Sequence, residues 1–277
     1  MTPERPTGQA AMCPGASHRL VFLGTGAGCG VPAFFCGCPA CEEARLDPRA
    51  RRGCCGVILE GGKRLLIDTP PDLRHQLVRE GVPSIDRLLF THAHYDHVGG
   101  LGELEYLVRL VHKAPLPTAA SAEALAGIKA EFGYLEECLA LEELSPFSAF
   151  EYDGLRYTAL PVSHAPGTFG YLIESPQTSL FYASDTGRLE PACAERVRGV
   201  DILVMDATFW KRNWSPTAHH SVQEAIEEGF ELDAGCIYLT HLAMHYDEPI
   251  TLAALEEYLV QFGGRVKVAV DGLGLPL

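Results

Sequence analysis

The chain has 277 residues, of which 47% are hydrophobic and 21% are charged, and its formal net charge is −14 at pH 7. This balance is typical of a globular protein with a sizeable core, and no apolar run reaches the roughly 20 residues that a membrane helix needs. The acidic average field opposes nucleic-acid binding, although bound cations or the basic residues 49–52 could offset it locally.

The first residues differ in character from the rest of the chain. Residues 1–18 contain three prolines and no apolar segment like that of a secretory signal. We therefore expect a disordered leader over residues 1–18, a single domain over residues 19–277, and a cytoplasmic protein.

The first half of that domain predicts strands that alternate with helices. A strand over residues 19–23 runs into a glycine-rich segment, which we interpret as a tight turn near the active site because no helix pattern follows it. Two further strands form a hairpin around Gly61-Gly62, and another ends at Phe90. Helices are predicted over residues 72–80, 101–111 and 119–132.

The second half continues this alternation. Strands are predicted over residues 154–161, 168–174, 179–183, 202–206, 236–240 and 266–270, and helices over residues 222–230 and 252–262. No repeat or low-complexity linker divides the chain. The order predicts an α/β protein of the four-layer α+β type, with two sheets flanked by helices in one domain.

The most informative segment is residues 91–97, Thr-His-Ala-His-Tyr-Asp-His, which lies between an apolar run and two glycines. Imidazole and carboxylate are the ligand pair that suits zinc, manganese or iron. Alternation in an extended loop places His92 and His94 on one side, whereas Asp96 and His97 can turn to another. This spacing suits two adjacent metal ions better than one.

Three later polar residues also end apolar runs. They are His164, Asp185 and His241, and each alone could be a cap or a surface residue. Together with residues 91–97, however, they resemble the ligand set of the metallo-β-lactamase superfamily, whose H-x-H-x-D-H motif and order of ligands they match. The resemblance implies an αββα sandwich.

The resemblance also implies how the ligands divide. One metal would be held by His92, His94 and His164, the second by Asp96, His97 and His241, and Asp185 would bridge the two. Two such ions can share a hydroxide and stabilise both the attacking and the leaving oxygen of a phosphoryl centre. Asp68 matches a superfamily aspartate that orients the histidine loop from behind the ligands.

The ten cysteines are clustered rather than evenly spread. Cys36, Cys38 and Cys41 form C-x-C-x-x-C, a pattern that in a cytosolic enzyme more often binds metal than forms disulfides. A structural zinc needs a fourth ligand, and His245 is the best candidate. The alternatives are a plain thiol cluster and a surface histidine.

With the cysteine cluster, the resemblance narrows to the phosphoribosyl cyclic phosphodiesterases of bacterial phosphonate breakdown. That family also has glycine segments like those at residues 24–26 and 30–32, and a structural zinc held by three cysteines and a histidine. The family histidine corresponds to Met244 here, so His245 stands one residue later, a difference that the loop could absorb.

Two adjacent histidines precede the helix predicted at residue 222. The family has a histidine here that is implicated as the general acid for the leaving alkoxide, and His219 aligns with it best. For His220, a functional and a purely structural role remain equally open. Ser221 and Glu224 predict a capping box for the helix.

These features predict a binuclear phosphodiesterase in which Asp96 and His219 take part in catalysis on a small, cyclic phosphodiester. Its cofactors would be two divalent ions, with zinc, manganese and iron all compatible, and one structural zinc. The alternatives are a nuclease like tRNase Z or the superfamily's exonucleases, and a relative of the pyrroloquinoline quinone biosynthesis B protein with different chemistry.

The expected partner is a small-molecule substrate, not a membrane or a nucleic acid, and a homodimer is compatible with the sequence. Lys211 and Arg212 are either ligands for a substrate phosphate or solvated side chains.

Overall fold

The structure is a computed structural model that describes residues 18–246 and 248–277. Of the predicted leader, residues 1–17 lie outside the described residues. His18 lies inside them, and its Nε2 is 3.1 Å from the Asp153 carboxylate. Among the residues that the structure describes, none of the helices has the length and apolar character required to cross a membrane.

The described residues form fourteen strands and seven α-helices. The strands are β1 (Arg19–Gly24), β2 (Gly56–Glu60), β3 (Arg64–Ile67), β4 (Arg87–Leu89), β5 (Leu116–Ala120), β6 (Leu139–Glu143), β7 (Ala149–Tyr152), β8 (Leu155–Pro161), β9 (Phe169–Glu174), β10 (Ser179–Ala183), β11 (Ile202–Asp206), β12 (Cys236–Thr240), β13 (Val266–Val268) and β14 (Gly274–Pro276). The helices are α1 (Pro39–Leu46), α2 (Leu73–Glu80), α3 (Tyr95–Val98), α4 (Ala122–Phe132), α5 (Pro191–Val197), α6 (Val222–Glu231) and α7 (Leu252–Leu259).

Within the described residues, the strands divide into two sheets of seven. One has the order β14-β1-β2-β3-β4-β5-β6 and the other the order β13-β12-β11-β10-β9-β8-β7. Both sheets are mixed: β3 to β6 and β10 to β13 run parallel, and the remaining neighbours are antiparallel. The predicted fold of two sheets flanked by helices is confirmed.

Apolar side chains fill three layers. Val57 and Leu59 of β2 point between the two sheets, where they meet Tyr171 and Tyr182, whereas Ile58 points to the opposite face. That opposite face packs on α2 and α4, and the outer face of the second sheet packs on α1, α5, α6 and α7. Because both faces of each sheet are covered, the parallel strands are apolar along most of their length.

Two predicted helices differ from the structure. Residues 101–111 form a 3₁₀ turn (Leu101–Leu104) and a π-helical turn (Leu107–His112), because a pattern of apolar spacing does not fix the hydrogen-bond register. The helix predicted over residues 119–132 begins only at Ala122. Ser121 caps its first turn by accepting a hydrogen bond from Ala124 N at 3.1 Å, and the residues before it form β5.

Short elements without a clear period were missed altogether. They are β6, β7, β14, α1, α3 and α5, none of which is longer than eight residues. Elements this short contain too few residues for a helical or alternating pattern to stand out from chance.

The ends of the parallel strands determine where polar side chains gather. Asp68 follows β3, Asp185 follows β10 and His241 follows β12, and parallel strands place their carboxyl ends at one edge of a sheet. Backbone hydrogen bonds also connect the end of β3 to the end of β4 and to the loop after it. Asp68 N donates to Leu89 O at 2.9 Å, and Thr69 N donates to His97 O at 2.7 Å. These bonds fix the loop that contains residues 91–97.

Gly99 and Gly100 hold the far end of that loop. Gly100 N donates to Thr69 O at 2.7 Å, and a Cβ built on Gly100 would lie 2.1 Å from the Pro70 carbonyl oxygen. No side chain fits at that distance, so only glycine allows the loop to pack this closely.

We therefore expect Gly100→Ala to lower the free energy of unfolding by about 2 kcal/mol or more, because the backbone must move apart to accept the methyl group. Urea denaturation followed by circular dichroism measures this. Gly133→Ala is the matched control, since Gly133 has helical φ and open space around its Cβ position and should change stability by less than about 1 kcal/mol. Equal effects of the two variants would contradict the close packing at Gly100.

Candidate metal centre

A cavity of about 370 Å³ opens at the carboxyl edge of the parallel strands. Its walls include histidines and carboxylates from both sheets, which is the position where ligands bind in many α/β proteins. The lining residues include Gly28, His94, Asp96, His164, Asp185, Phe209, Trp214, His219, His241 and Tyr246.

His92, His94 and His164 form the first group of predicted ligands. One nitrogen of each lies within 4.8 Å of the others. His164 Nδ1 donates to Ala218 O at 2.9 Å, which leaves Nε2 free, and that atom lies 3.1 Å from His94 Nδ1. Thr91 Oγ1 contacts His92 Nδ1 at 2.9 Å, so Nε2 of His92 also faces the other two rings.

Asp96, His97 and His241 form the second group, again with ligand atoms within 4.8 Å of one another. Asp96 Oδ2 lies 3.6 Å from His97 Nε2 and 3.4 Å from His241 Nε2. Both histidines are buried, and His241 adopts φ 56°, a left-handed conformation that is unusual for a residue with a side chain. Such backbone conformations cluster at functional sites, where neighbouring contacts hold them in place.

Asp185 lies between the two groups. Its Oδ2 is 3.0 Å from His97 Nε2, and its Oδ1 is 3.1 Å from His241 Nε2 and 3.9 Å from His164 Nε2. Burial alone would raise the pKa of the Asp185 carboxyl, but the adjacent His241 and His97 hold it well below its usual range. The side chain therefore remains an anion that faces both groups at once.

Three buried atoms at this point have no hydrogen-bond partner among the described residues. They are His92 Nε2, His97 Nε2 and Asp185 Oδ2, although the last two lie 3.0 Å apart as an ion pair without hydrogen-bond geometry. Leaving such atoms unpaired costs about 1–3 kcal/mol each, so buried polar atoms are nearly always satisfied. Imidazole nitrogens and carboxylate oxygens are the donors that zinc, manganese and iron prefer, and the residues present fit two divalent ions.

Asp68 supports the second group from behind. It is fully buried with φ 67°, its Oδ1 accepts from Thr91 N at 2.8 Å, and its Oδ2 accepts from Thr91 Oγ1 and lies 2.8 Å from His97 Nδ1. His97 Nδ1 therefore carries the proton and Nε2 is left as the ligand atom. A carboxylate that fixes the tautomer of a metal-binding histidine in this way also raises its basicity.

Asp206, which ends β11, is a residue of the site that sequence reasoning missed. Its Oδ1 accepts from Thr208 N at 2.8 Å and from Thr208 Oγ1 at 2.9 Å, and Thr208 Oγ1 accepts in turn from His241 Nδ1 at 2.8 Å. Its Oδ2 lies 2.7 Å from His219 Nδ1. The sequence did contain a feature that could have identified Asp206, because this residue ends an apolar run as Asp185 does.

The structure separates the roles of the two adjacent histidines. His219 lines the cavity, stacks on His241 with centroids 5.4 Å apart, and directs its Nε2 away from Asp206. His220 is buried, with Nδ1 2.7 Å from Thr186 O and Nε2 2.7 Å from Glu228 Oε2. Burial opposes the charged imidazole, but Glu228 raises the pKa of His220. Because both of its nitrogens bond to protein groups, His220 has a structural role.

The cysteine cluster lies at one side of the cavity. One ligand atom each of Cys36, Cys41 and His245 lies within 4.8 Å of the others, and Cys38, the third predicted thiol ligand, lies outside that group. The backbone N–H of Cys38 and the His245 side chain lower the pKa of Cys36 to about 7. This favours the thiolate, which is the form that binds zinc.

The extra residue before His245 is absorbed by a left-handed turn. Met244 has φ 37° and its side chain is buried in the core, and the next residue, His245, is the one whose ring lies with the thiols of Cys36 and Cys41. Cys29 is exposed, and its Sγ lies 3.1 Å from His245 Nε2.

Lys211 and Arg212 do not reach the cavity. Lys211 Nζ pairs with Glu248 at 2.8 Å and lies over the Trp210 ring. Among the described residues that line the cavity there is no lysine or arginine.

Several known proteins are similar to this chain in sequence. A sequence model of the beta-lactamase superfamily domain matches residues 63–242. Ribonuclease Z of Methanopyrus kandleri is 30% identical over 79% of this chain and 89% of that protein. Coenzyme PQQ synthesis protein B of Methylobacterium radiotolerans is 30% identical over 69% of this chain and 73% of that protein.

Two further matches bear on function. An octanoyltransferase of Porphyromonas gingivalis is 29% identical over 82% of this chain, and this chain spans only 46% of that protein's length. Among solved structures, a diphosphatase from the PhnP family superposes with a TM-score of 0.82 at 30% identity, covering 94% of this chain and 98% of that one.

Proposed function

The chain belongs to the metallo-β-lactamase superfamily of hydrolases, and from that membership we propose that it is a binuclear metal-dependent phosphodiesterase acting on a small, cyclic phosphodiester. The observation that supports this most is the double ligand set, in which two groups of ligand atoms face the shared Asp185 carboxylate and the buried His92 Nε2 makes no hydrogen bond among the described residues. A site of one structural ion would need only four ligands.

Two divalent ions bound to these residues would draw charge from a phosphoryl oxygen and make hydroxide available from water at neutral pH. Asp185 would hold both ions, because its two oxygens face different histidines. Asp96 would contribute from the cavity side, where it is the more exposed of the two carboxylates. Asp68 and Thr208 would keep His97 and His241 in the tautomer whose Nε2 binds metal.

His219 would deliver a proton to the leaving oxygen. Its Nδ1 donates to Asp206, so the proton for catalysis would sit on Nε2, which faces the cavity. The Asp206 carboxylate would stabilise the imidazolium and orient the ring, as a carboxylate does for a catalytic histidine in other hydrolases.

A small substrate is favoured over a nucleic acid. The cavity holds about 370 Å³ and has no cationic side chain in the described part of its wall, and the chain carries a net charge of −14. A nuclease holds its polymer through several phosphate contacts from lysine and arginine. The relatives include a ribonuclease Z, and salt-sensitive binding of RNA would favour that alternative.

Two other chemistries have weaker support. The octanoyltransferase relative is twice as long as the matched region, so its acyl transfer is a property of that whole protein. The similarity to the coenzyme PQQ synthesis protein does not explain why this chain has two groups of three ligands with a carboxylate between them. Hydrolysis of phosphorus esters uses the whole set.

The function is tested by turnover of bis-p-nitrophenyl phosphate with added manganese. We expect the protein to hydrolyse this diester, and Asp185→Ala to lose about 100-fold or more in rate because neither ion is then held in place. Glu137→Ala, which removes an exposed carboxylate, is the control and should retain the rate. A folded Asp185→Ala protein that keeps the full rate would contradict the proposal.

The role of His219 is tested by changing the leaving group. His219→Gln should slow the opening of adenosine 2′,3′-cyclic phosphate by about 100-fold, because an alkoxide needs a proton. Hydrolysis of methyl p-nitrophenyl phosphate should slow far less, since p-nitrophenolate leaves without one. Equal losses on both substrates would show that His219 acts only through the structure of the site.

A further inference from the structure

One wall of the cavity consists of aromatic rings that the proposed chemistry does not use. Phe209, Trp214 and Tyr246 form this aromatic wall. The Trp214 ring centroid lies 5.2 Å from that of Phe209 and 5.6 Å from that of Tyr246, and the Phe209 and Tyr246 centroids are 6.2 Å apart. All three residues line the same cavity as His219 and Asp185.

The segment that contains Trp214 is held firmly relative to His219. Asn213 Nδ2 donates to His219 O at 2.8 Å and to Glu224 Oε2 at 2.7 Å, while Asn213 Oδ1 accepts from Ser215 N at 2.9 Å. Glu224 belongs to the capping box of α6, so the residues on both sides of Trp214 are tied to a helix. The ring is thereby positioned before any substrate binds.

Trp214 also exposes ring surface that no side chain among the described residues covers. It is 52% exposed, whereas Phe209 beneath it is only 4% exposed. The neighbouring Trp210 provides the contrast, because it packs against the core and meets Tyr258 edge to face at 4.9 Å. Trp210 is accounted for by folding, and Trp214 is not.

The charges around the cavity restrict what this surface binds. The described part of the wall contains no lysine or arginine; of the two cations that precede Trp214, Lys211 is paired with Glu248 and Arg212 does not line the cavity. A second phosphate would find no cationic side chain there. Any part of the substrate beyond the reacting phosphate therefore has aromatic ring surface, rather than charge, as its binding partner.

Resting on the proposed function, we propose that the substrate is a monophosphate diester that carries one flat aromatic ring of nucleobase size, which stacks on Trp214 while the diester meets the metal ligands. A base-bearing cyclic nucleotide fits this description and a bare ribosyl cyclic phosphate does not. In the reaction, water adds across one P–O bond, and the ring opens to a monoester and a free hydroxyl group. Trp214 is a positioning residue that sets substrate preference.

Two substrates with the same reacting group test this. Adenosine 2′,3′-cyclic phosphate carries a base, and methyl β-D-ribofuranoside 2,3-cyclic phosphate replaces the base by a methoxy group. We expect kcat/KM to favour the adenosine compound by about tenfold, since stacking of one base on an aromatic side chain has roughly that effect. Trp214→Ala should bring the ratio close to one, and Trp214→Phe should retain most of it.

Tyr134→Ala is the matched control, because Tyr134 is an exposed aromatic residue that does not line this cavity. It should leave the ratio unchanged. A ratio near one in the unaltered protein, or a ratio that survives Trp214→Ala, would overturn the proposal.

A binding measurement separates this proposal from the proposed function. The sequence has two tryptophans, so Trp210→Phe leaves Trp214 as the only one. We expect adenosine 2′-monophosphate to quench its fluorescence saturably and ribose 5-phosphate not to do so. Quenching without turnover of any diester would remove the phosphodiesterase and keep the aromatic site, whereas turnover without quenching or preference would do the reverse.

Discussion

The buried carboxylate of Asp185 is the group on which the rest of the site depends. It sits between two sets of histidines, with one oxygen near His97 and the other near His241, and it remains ionised there. A buried carboxylate anion destabilises the fold unless positive charge lies against it. The site is therefore suited to positively charged ligands, and this is the constraint behind our proposal of a hydrolase that uses two divalent ions.

The two sheets contribute differently to this arrangement. The first sheet supplies residues 91–97 together with Asp68 behind them, and the second supplies Asp185, Asp206 and His241 from the ends of parallel strands. Because the parallel strands of each sheet end at one edge, ligands far apart in sequence lie within a few ångströms of one another. The aromatic wall and the cysteine cluster flank this edge, and His245 and Tyr246 connect them as adjacent residues.

The sequence predicted the features that depend on a short motif or on a polar residue at the end of a clear apolar run. The ligand motif and the two sheets belong to this class. Burial and tertiary contact decided the rest. The sequence left the role of His220 open, and the structure shows both of its nitrogens bonded to protein groups. Trp214 and Trp210 likewise differ only in what covers them. The prediction of an α-helix over residues 101–111 was wrong because apolar spacing does not select the α-helical register over 3₁₀ and π turns.

We propose that the residues around Asp185 hold two metal ions. Anomalous X-ray scattering, recorded above and below the zinc, manganese and iron absorption edges on crystals grown from protein purified without added metal, tests it directly. We expect two peaks roughly 3.5–4 Å apart on either side of Asp185, and a third among Cys36, Cys41 and His245. A single peak near Asp185, or none in crystals that diffract well and show the histidine rings in the same positions, would contradict it.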